Sequence, residues 1–373
     1  METYRLSSRL VENDREYLIQ TSNDVALGSV SSEVFINGAL ADSVKVPHPE
    51  QMRAEEVLTF VESAHDETKK EIESLLKAYR EAIESANGDM MYHLALSFFY
   101  KRFYAEARTL LNTAVGINPD YHEAYNVLGQ AELSLGHPKE AVAAAQTAVN
   151  KRPEYADYRN NLGEALLASR ALKLAAKEFD KAIEINLYYS DAYFNYGLAM
   201  ILEALKEDSG PVKPNLVSKA QEYFTKAVLT YPDYKTAGYA RGLESLQSGD
   251  LRPAFSTLAK VREEKKFQHG RRYSQYHMRF ALYPQWVTEK ALVDRISFLQ
   301  EEIAKNPGYV DLHIELSRCY LEQAQVIWRK AIDSYRKTLD INPSLGELAA
   351  NVDRAEDAYE VIVQTIQKVS ERG

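Results

Sequence analysis

One spacing constrains this chain more than any other feature: the same order of apolar residues returns every 34 residues from Gly88 onward. Counted from Gly88 as position 1, a large apolar residue followed by a small one stands at positions 7 and 8. The first three such pairs are Leu94-Ala95, Leu128-Gly129 and Leu162-Gly163. Self-similarity at a fixed period of this length is typical of chains that stack one small unit on the next. The period therefore predicts a repeat architecture.

The composition of the repeat indicates how each unit packs. Small residues at positions 8, 20 and 27 allow two antiparallel helices to approach closely, and large residues at positions 7, 11 and 24 fill the space between units. Between the two helices of the second unit, Gly136 is a helix stop and Pro138 suits the first turn of the next helix. One pair of helices cannot bury its apolar face alone, so the units are expected to stack.

This pattern resembles the tetratricopeptide repeat family over roughly residues 88–343. The resemblance implies a mostly α fold, a right-handed superhelix of about seven helix-turn-helix units with a concave face lined by the first helices. The predicted units are 88–121, 122–155, 156–189, 190–234 with an 11-residue insertion around 204–215, 235–268, a degenerate 269–309, and 310–343. Residues 344–373 are predicted to form one C-terminal capping helix.

Residues 1–87 follow a different pattern. From residue 3 to residue 46 the chain alternates with period two, and Asn37-Gly38 is a strong two-residue hairpin signal. We predict a small four-stranded antiparallel β meander, followed by a charged helical segment over 50–86. A sheet of this size needs a partner for its apolar face. Capping of one end of the array and a dedicated docking or dimerisation module are both consistent with this pattern.

The charge is divided unevenly along the chain. Residues 1–88 carry nine Lys/Arg and 17 Asp/Glu, whereas the whole chain of 373 residues has a net charge of −9. An acidic balance disfavours nucleic acid as the main partner. The one cysteine, Cys319, cannot form a disulfide within the chain, which fits a reducing compartment. No secretory signal and no membrane span are predicted, so we expect a cytoplasmic protein.

Motifs that carry chemistry are missing from the sequence. It has no Gly-Lys-Ser/Thr, no Gly-x-Ser-x-Gly, no His-Glu-x-x-His and no Cys-x-x-Cys. An enzyme site in the N-terminal part would have only His48 and His65 as groups that titrate near neutral pH. We therefore predict a non-enzymatic protein with no catalytic residue, no metal site and no cofactor.

The resemblance implies that positions 5, 6 and 9 of each first helix face the concave side. The residues at these positions give the candidate partner-binding groove: Tyr92, Asn126, Gln130, Asn160, Asn161, Glu164 and Asn195. An Asn amide offers a donor and an acceptor together, so it can pair with an extended peptide backbone of any sequence. Local structural hydrogen bonds are the alternative role for these amides.

Some members of the family clamp the C-terminal carboxylate of a chaperone tail. That mode needs Lys at position 5 and Asn at position 9 of one unit, and cations at positions 2 and 6 of a later unit. Here the first unit has Tyr92 and Leu96, and the fourth has Asp191 and Asn195. The sequence therefore predicts that this chain is not a chaperone-tail cochaperone.

One basic segment stands out. Residues 260–279 contain seven Lys/Arg and two Glu, and the candidate residues of this patch are Lys265, Lys266, Arg271, Arg272 and Arg279. The segment could be a solvated junction between units, a contact for the acidic N-terminal part or an acidic partner, or a nucleic-acid site.

The favoured function is a protein-interaction scaffold or adaptor that binds a partner segment in the concave groove. The alternative is a regulatory protein that binds an acidic partner or nucleic acid through residues 260–279. Self-association through the N-terminal domain is compatible with both functions.

Overall fold

A computed structural model describes residues 3–12, 14–48, 53–206, 214–282, 289–305, 307 and 310–372. Within these ranges the side chains of 54–55, 214, 267–282, 289–291, 305, 310–311 and 365–372 are not described. The chain begins with the strands β1 (Arg5–Glu12), β2 (Arg15–Asp24), β3 (Ser29–Ile36) and β4 (Ala39–Pro47). One long helix, α1 (Ala54–Ser85), follows the sheet.

The next ten helices form five sequential pairs: α2 (Gly88–Tyr100) with α3 (Tyr104–Ile117), α4 (His122–Ser134) with α5 (Pro138–Lys151), α6 (Ala156–Ala168) with α7 (Leu172–Ile185), α8 (Ser190–Lys206) with α9 (Pro214–Thr230), and α10 (Ala237–Gln247) with α11 (Leu251–Leu282). A single 3₁₀ turn, Pro232–Tyr234, precedes α10. The chain ends with α12 (Glu289–Lys305), α13 (Val310–Ile341) and α14 (Gly346–Arg372). The predicted fold class, mostly α with a small β meander, is confirmed.

The sheet is an antiparallel meander in the order β1-β2-β3-β4. Asn37 and Gly38 have φ values of 48° and 84°, so both central residues of the β3–β4 turn are left-handed. This is the turn geometry that the Asn-Gly pair predicts, because its twist matches that of the flanking strands. Alternate residues of β2 are buried, starting with Tyr17 and Ile19.

The buried face of the sheet packs on α1 and on the first helix pair. Tyr17 shares a core cluster with Leu75 of α1, Phe98 of α2 and Phe103. The Tyr17 hydroxyl donates to Glu106 Oε1 of α3 over 2.6 Å. The meander therefore covers the apolar surface that the first pair would otherwise expose at the end of the stack.

Each described turn between the two helices of a pair contains one left-handed residue. These residues are Arg102 (φ 63°), Gly136 (φ 80°), Arg170 (φ 62°) and Gly249 (φ 84°). The first three are spaced by 34 residues, and the interval to Gly249 contains the 11 extra residues of the fourth unit. A left-handed residue ends a helix and reverses the chain, so this conformation recurs with the repeat.

The small residue at position 8 is required by the ring or side chain at position 24. A Cβ added to Gly163 would lie 2.5 Å from Phe179 Cε1, and one added to Gly197 would lie 2.7 Å from Phe224 Cζ. The first unit combines Ala95 with the smaller Leu111 instead. The distance between the two helices of a unit is thus set by the residues at positions 8 and 24, as the sequence predicts.

The later units differ from their predicted form. Helix α11 runs without a break through the predicted boundary at 268/269, and α13 is one helix of 32 residues where a helix pair is predicted. Residues 310–341 contain no Gly and no Pro, so nothing provides the left-handed turn that splits the other units. Residues 207–213 of the predicted insertion lie outside the described residues. The unit boundaries stay a prediction.

Candidate functional site

Helix α11 crosses the concave side of the array. Besides its partner α10, it packs against α8 and against α2 at the other end of the stack. Its 32 residues give a length of about 48 Å at 1.5 Å per residue, which is enough to span several units. A cavity of about 930 Å³ lies between the first helices of the early units and the facing helices α11 and α13.

The four predicted groove asparagines form a ladder of hydrogen bonds from unit to unit. Asn161 Nδ2 donates to Asn126 Oδ1 over 2.9 Å, and Asn195 Nδ2 donates to Asn160 Oδ1 over 2.9 Å. Asn195 Nδ2 also donates to Glu164 Oε1 over 2.8 Å. These amides therefore make structural hydrogen bonds, which is the alternative role considered above. Binding of a peptide main chain by them stays a prediction.

Six of the seven predicted groove residues line the cavity: Tyr92, Asn126, Gln130, Asn160, Asn161 and Glu164. Asn195 is fully buried and lies behind the wall, where Arg262 Nη1 of α11 donates to its Oδ1 over 3.2 Å. The structure thus brings the predicted residues of three successive units onto one surface.

Part of the basic patch lies on this concave side. Lys266 forms an ion pair with Glu164, and Lys265 forms one with Asp191. The Lys265 ammonium also lies 4.2 Å from the Tyr231 ring centroid and 4.4 Å from that of Tyr234. Of the alternatives left open for this segment, contact with the acidic N-terminal part does not describe these two lysines, because groove carboxylates take up their charge. The side chains of Arg271, Arg272 and Arg279 lie outside the described residues.

Two groove carboxylates that contact α11, the buried Glu164 and the half-buried Asp191, are ionised. Burial alone would raise the pKa of Asp191, but Lys265 and the hydroxyl of Tyr234 outweigh it and lower that pKa to about 2. Burial likewise opposes ionisation of Glu164, and Lys266 with Arg262 lowers its pKa. Both groups therefore accept cations at neutral pH.

Tyrosine and histidine side chains form much of the remaining wall. Tyr155 stacks on Tyr158 with ring centroids 5.0 Å apart, and His122 Nδ1 lies 2.8 Å from the Tyr158 hydroxyl. Burial raises the pKa of Tyr100 to about 12 and lowers the pKa of His93. These side chains are therefore neutral near pH 7 and offer rigid apolar area with polar tips.

Sequence reasoning missed the wall that α13 contributes. Glu315, Arg318, Cys319 and Glu322 line the cavity opposite the first helices. Cys319 is also buried in a small core cluster with Ile296 and Leu299 of α12. The lack of Gly and Pro in 310–341 could have indicated a continuous helix, but not its place across the groove.

The described residues meet neither the requirements of a metal site nor those of a membrane span. Among the residues described, no three His, Cys, Asp or Glu side chains are grouped so that they could hold a metal ion. None of the described helices combines the length and the apolar character needed to cross a membrane.

One family of known proteins matches part of this chain. The tetratricopeptide repeat family profile matches residues 92–149 and, in an overlapping second match, residues 126–188. No curated protein matches the chain significantly.

Several solved structures are similar. TTC0263, a tetratricopeptide repeat protein of Thermus thermophilus, is 17% identical over 63% of this chain and 100% of its own, with a TM-score of 0.35. PilF of Pseudomonas aeruginosa is 19% identical over 66% and 97%, with a TM-score of 0.35. YrrB, described as having an unusual peptide-binding site, is 19% identical over 52% and 97%, with a TM-score of 0.35.

Proposed function

We propose that this chain is a non-enzymatic scaffold whose concave groove binds a segment of a partner protein. It belongs to the tetratricopeptide repeat superfamily, with the repeats matched at residues 92–188. Its single cysteine supports a reducing, cytoplasmic location within the same proposal. The packing of the β meander on the first helix pair supports a capping role for residues 1–87.

The observation that carries the proposal is the cavity of about 930 Å³ on the concave side. This volume is at the upper end of the range for ligand pockets, about 300–1,000 Å³. Its walls combine rigid tyrosines such as Tyr92 and Tyr158 with amides and ionised groups. Such a mixture suits a peptide, which presents apolar side chains and backbone polar groups together.

The amide ladder supports the same proposal. An Asn side chain has two N–H donors and an oxygen that accepts two bonds. The contact from Asn161 to Asn126 uses one donor of the first and one lone pair of the second. The half-buried Asn161 therefore has the capacity to bond a peptide backbone as well as its neighbour.

The alternative function, binding through residues 260–279, is weakened by the contacts of its own residues. Lys265 and Lys266 use their charge on Asp191 and Glu164 inside the concave face. They are two of the five cations on which that function depends, so their charge is not free for an external partner.

Site-specific photocrosslinking tests the proposal in the full chain. A photoreactive phenylalanine analogue is placed at Gln130, which lines the cavity, and in a matched control at Leu174, which is 57% exposed on α7. We expect a partner segment to crosslink at position 130 and not at position 174. Equal capture at both positions would contradict the proposal.

The captured segment is then titrated against the wild-type chain and the Asn160→Ala/Asn161→Ala variant. A weaker affinity is expected from the loss of amide contacts, with the helical content checked by circular dichroism. Unchanged affinity in a folded variant would remove the amides from the binding site.

A further inference from the structure

The concave face already binds a segment of its own chain, the five residues Arg262 to Lys266 of α11. Arg262 donates to Asn195, Lys265 pairs with Asp191, and Lys266 pairs with Glu164. These three cations stand at spacings of three and four residues, so they project from one face of the helix. Three successive contacts from one helical face to acceptors of two units resemble the way a bound helix is held.

The position of this segment within the repeat supports its role as a ligand. The second helices α3, α5 and α7 each have 14 residues, whereas α11 has 32. The part of α11 that packs within its own unit ends with the buried Leu258 and Val261, which belong to the core cluster shared by the fourth and fifth units. Arg262 and the two lysines come directly after this part, so they are not needed to bury the face of their own unit.

The chemistry of the receiving surface is that of a cation site. The side chain of Glu164 is 4% exposed, and Asp191 accepts a further hydrogen bond of 2.6 Å from the Tyr234 hydroxyl. Two tyrosine rings, Tyr231 and Tyr234, face the ammonium group of Lys265, an arrangement that attracts a cation through the negative ring faces. Removing water from carboxylates is costly unless cations replace it, so this surface requires a basic occupant.

We propose that the Arg262–Lys266 segment is a built-in ligand of the concave groove, and that the external partner is a basic helical segment that competes with it for Glu164 and Asp191. This inference rests on the proposed function and adds to it the chemical class of the partner. The partner presents Lys or Arg on one helical face with the spacing of Arg262, Lys265 and Lys266.

The internal segment is held by contacts that an external segment can replace. The Lys266 side chain is 43% exposed, so its ion pair is within reach of solvent and weakens with salt. The described contacts of Arg262, Lys265 and Lys266 with the groove are made to side-chain carboxylates, an amide and rings, and the cations of a second basic helix can make the same contacts. An external helix can therefore replace the internal segment in the same groove.

The test uses a fluorescent synthetic peptide of residues 256–273, which contains the three cations, and three forms of the full chain. In K265E/K266E the internal segment is repelled by the groove while Glu164 and Asp191 stay intact. In E164Q/D191N the groove loses its charges while the internal segment stays basic. Hydrogen exchange of α11 reports whether the internal segment is released, and fluorescence anisotropy reports peptide binding.

We expect faster exchange in α11 of K265E/K266E and binding of the peptide about tenfold tighter than to the wild type, which corresponds to about 1.4 kcal/mol. E164Q/D191N should bind the peptide no more tightly than the wild type. A peptide that carries R262E, K265E and K266E should not bind the K265E/K266E chain more tightly than it binds the wild type. Unchanged exchange in K265E/K266E, equal peptide binding by the two variants, or release of α11 without binding would each overturn the inference.

The outcomes separate this inference from the proposed function. A partner captured at Gln130 together with a peptide that fails to bind K265E/K266E would leave the scaffold function standing and remove the basic partner. Peptide binding without capture at Gln130 would show a cation site that does not use the cavity of the early units.

Discussion

Lys266 of α11 forms an ion pair with Glu164 of α6, although the two residues are 102 positions apart in the chain. The pair joins the end of the fifth unit to the first helix of the third. It therefore ties the stability of the array to the position of α11 on its concave side.

A double-mutant cycle should detect this coupling. Removing Glu164 leaves Lys266 half-exposed, but removing Lys266 leaves a carboxylate whose side chain is only 4% exposed. We expect Lys266→Ala to lower the free energy of unfolding by about 1–3 kcal/mol, since the buried carboxylate loses its ion pair while Arg262 still favours its ionised form. Glu164→Ala should cost about as much through its amide contacts. In the double variant the loss should be smaller than the sum, as measured by urea denaturation, and strict additivity would contradict the pairing.

The pKa of Asp191 predicts acid sensitivity of the α11 contact. The pKa of Asp191 is lowered from 3.8 to about 2 in the folded chain. The contribution of the ionised carboxylate to the free energy of unfolding is therefore fully present above about pH 4. It is lost as pH falls from 4 through 2, and its size is on the order of 2 kcal/mol. Urea denaturation at several pH values should show a shallower loss in this window for Asp191→Asn. An identical slope in wild type and variant would show that Asp191 is not the group that titrates.

The packing of Gly163 on Phe179 makes a methyl group costly at this position. Gly163→Ala would bring a Cβ to 2.5 Å from the ring, so we expect a loss of about 1–3 kcal/mol of stability. The first unit accommodates Ala95 beside Leu111, which suggests a compensating change. In thermal unfolding, Phe179→Leu should therefore destabilise the Gly163→Ala protein less than it destabilises the wild type. Equal effects in both backgrounds would mean that the two positions do not determine helix approach.

The left-handed turn residues predict a stabilising substitution. Arg170 is exposed and has φ 62°, a conformation that costs a residue with a Cβ about 1–2 kcal/mol relative to glycine. Part of this gain is offset by the greater freedom of glycine in the unfolded chain. Arg170→Gly should raise stability by up to about 1 kcal/mol, measured as an increase in Tm. Gly136→Ala, the matched change in the second unit, should lower it.

Local patterns in the sequence predicted the parts of the fold that depend on neighbours within a unit. The Asn37-Gly38 pair determined a hairpin, and the small residue at Gly163 determined how closely α6 and α7 approach. These features follow from backbone conformation and packing over one repeat length. The candidate groove residues came from the family resemblance, which implies the concave-facing positions of the first helices, and six of the seven line the cavity.

The occupation of the groove could not be predicted in this way. The acidic partners of Lys265 and Lys266 lie 74 and 102 residues away and belong to other units. The basic segment was visible in the sequence, but its spacing does not indicate which of the many carboxylates it meets. The course of α13 was missed because its residues keep the repeat pattern while lacking a turn residue.

The contacts of α11 change how this array is expected to respond to force and to heat. In an open stack each unit touches only its neighbours, so the ends loosen independently and stability is a sum along the chain. Here the single helix α11 connects the fifth unit to α2 of the first unit. Loosening at either end is therefore transmitted to the other, and the first five units should unfold together.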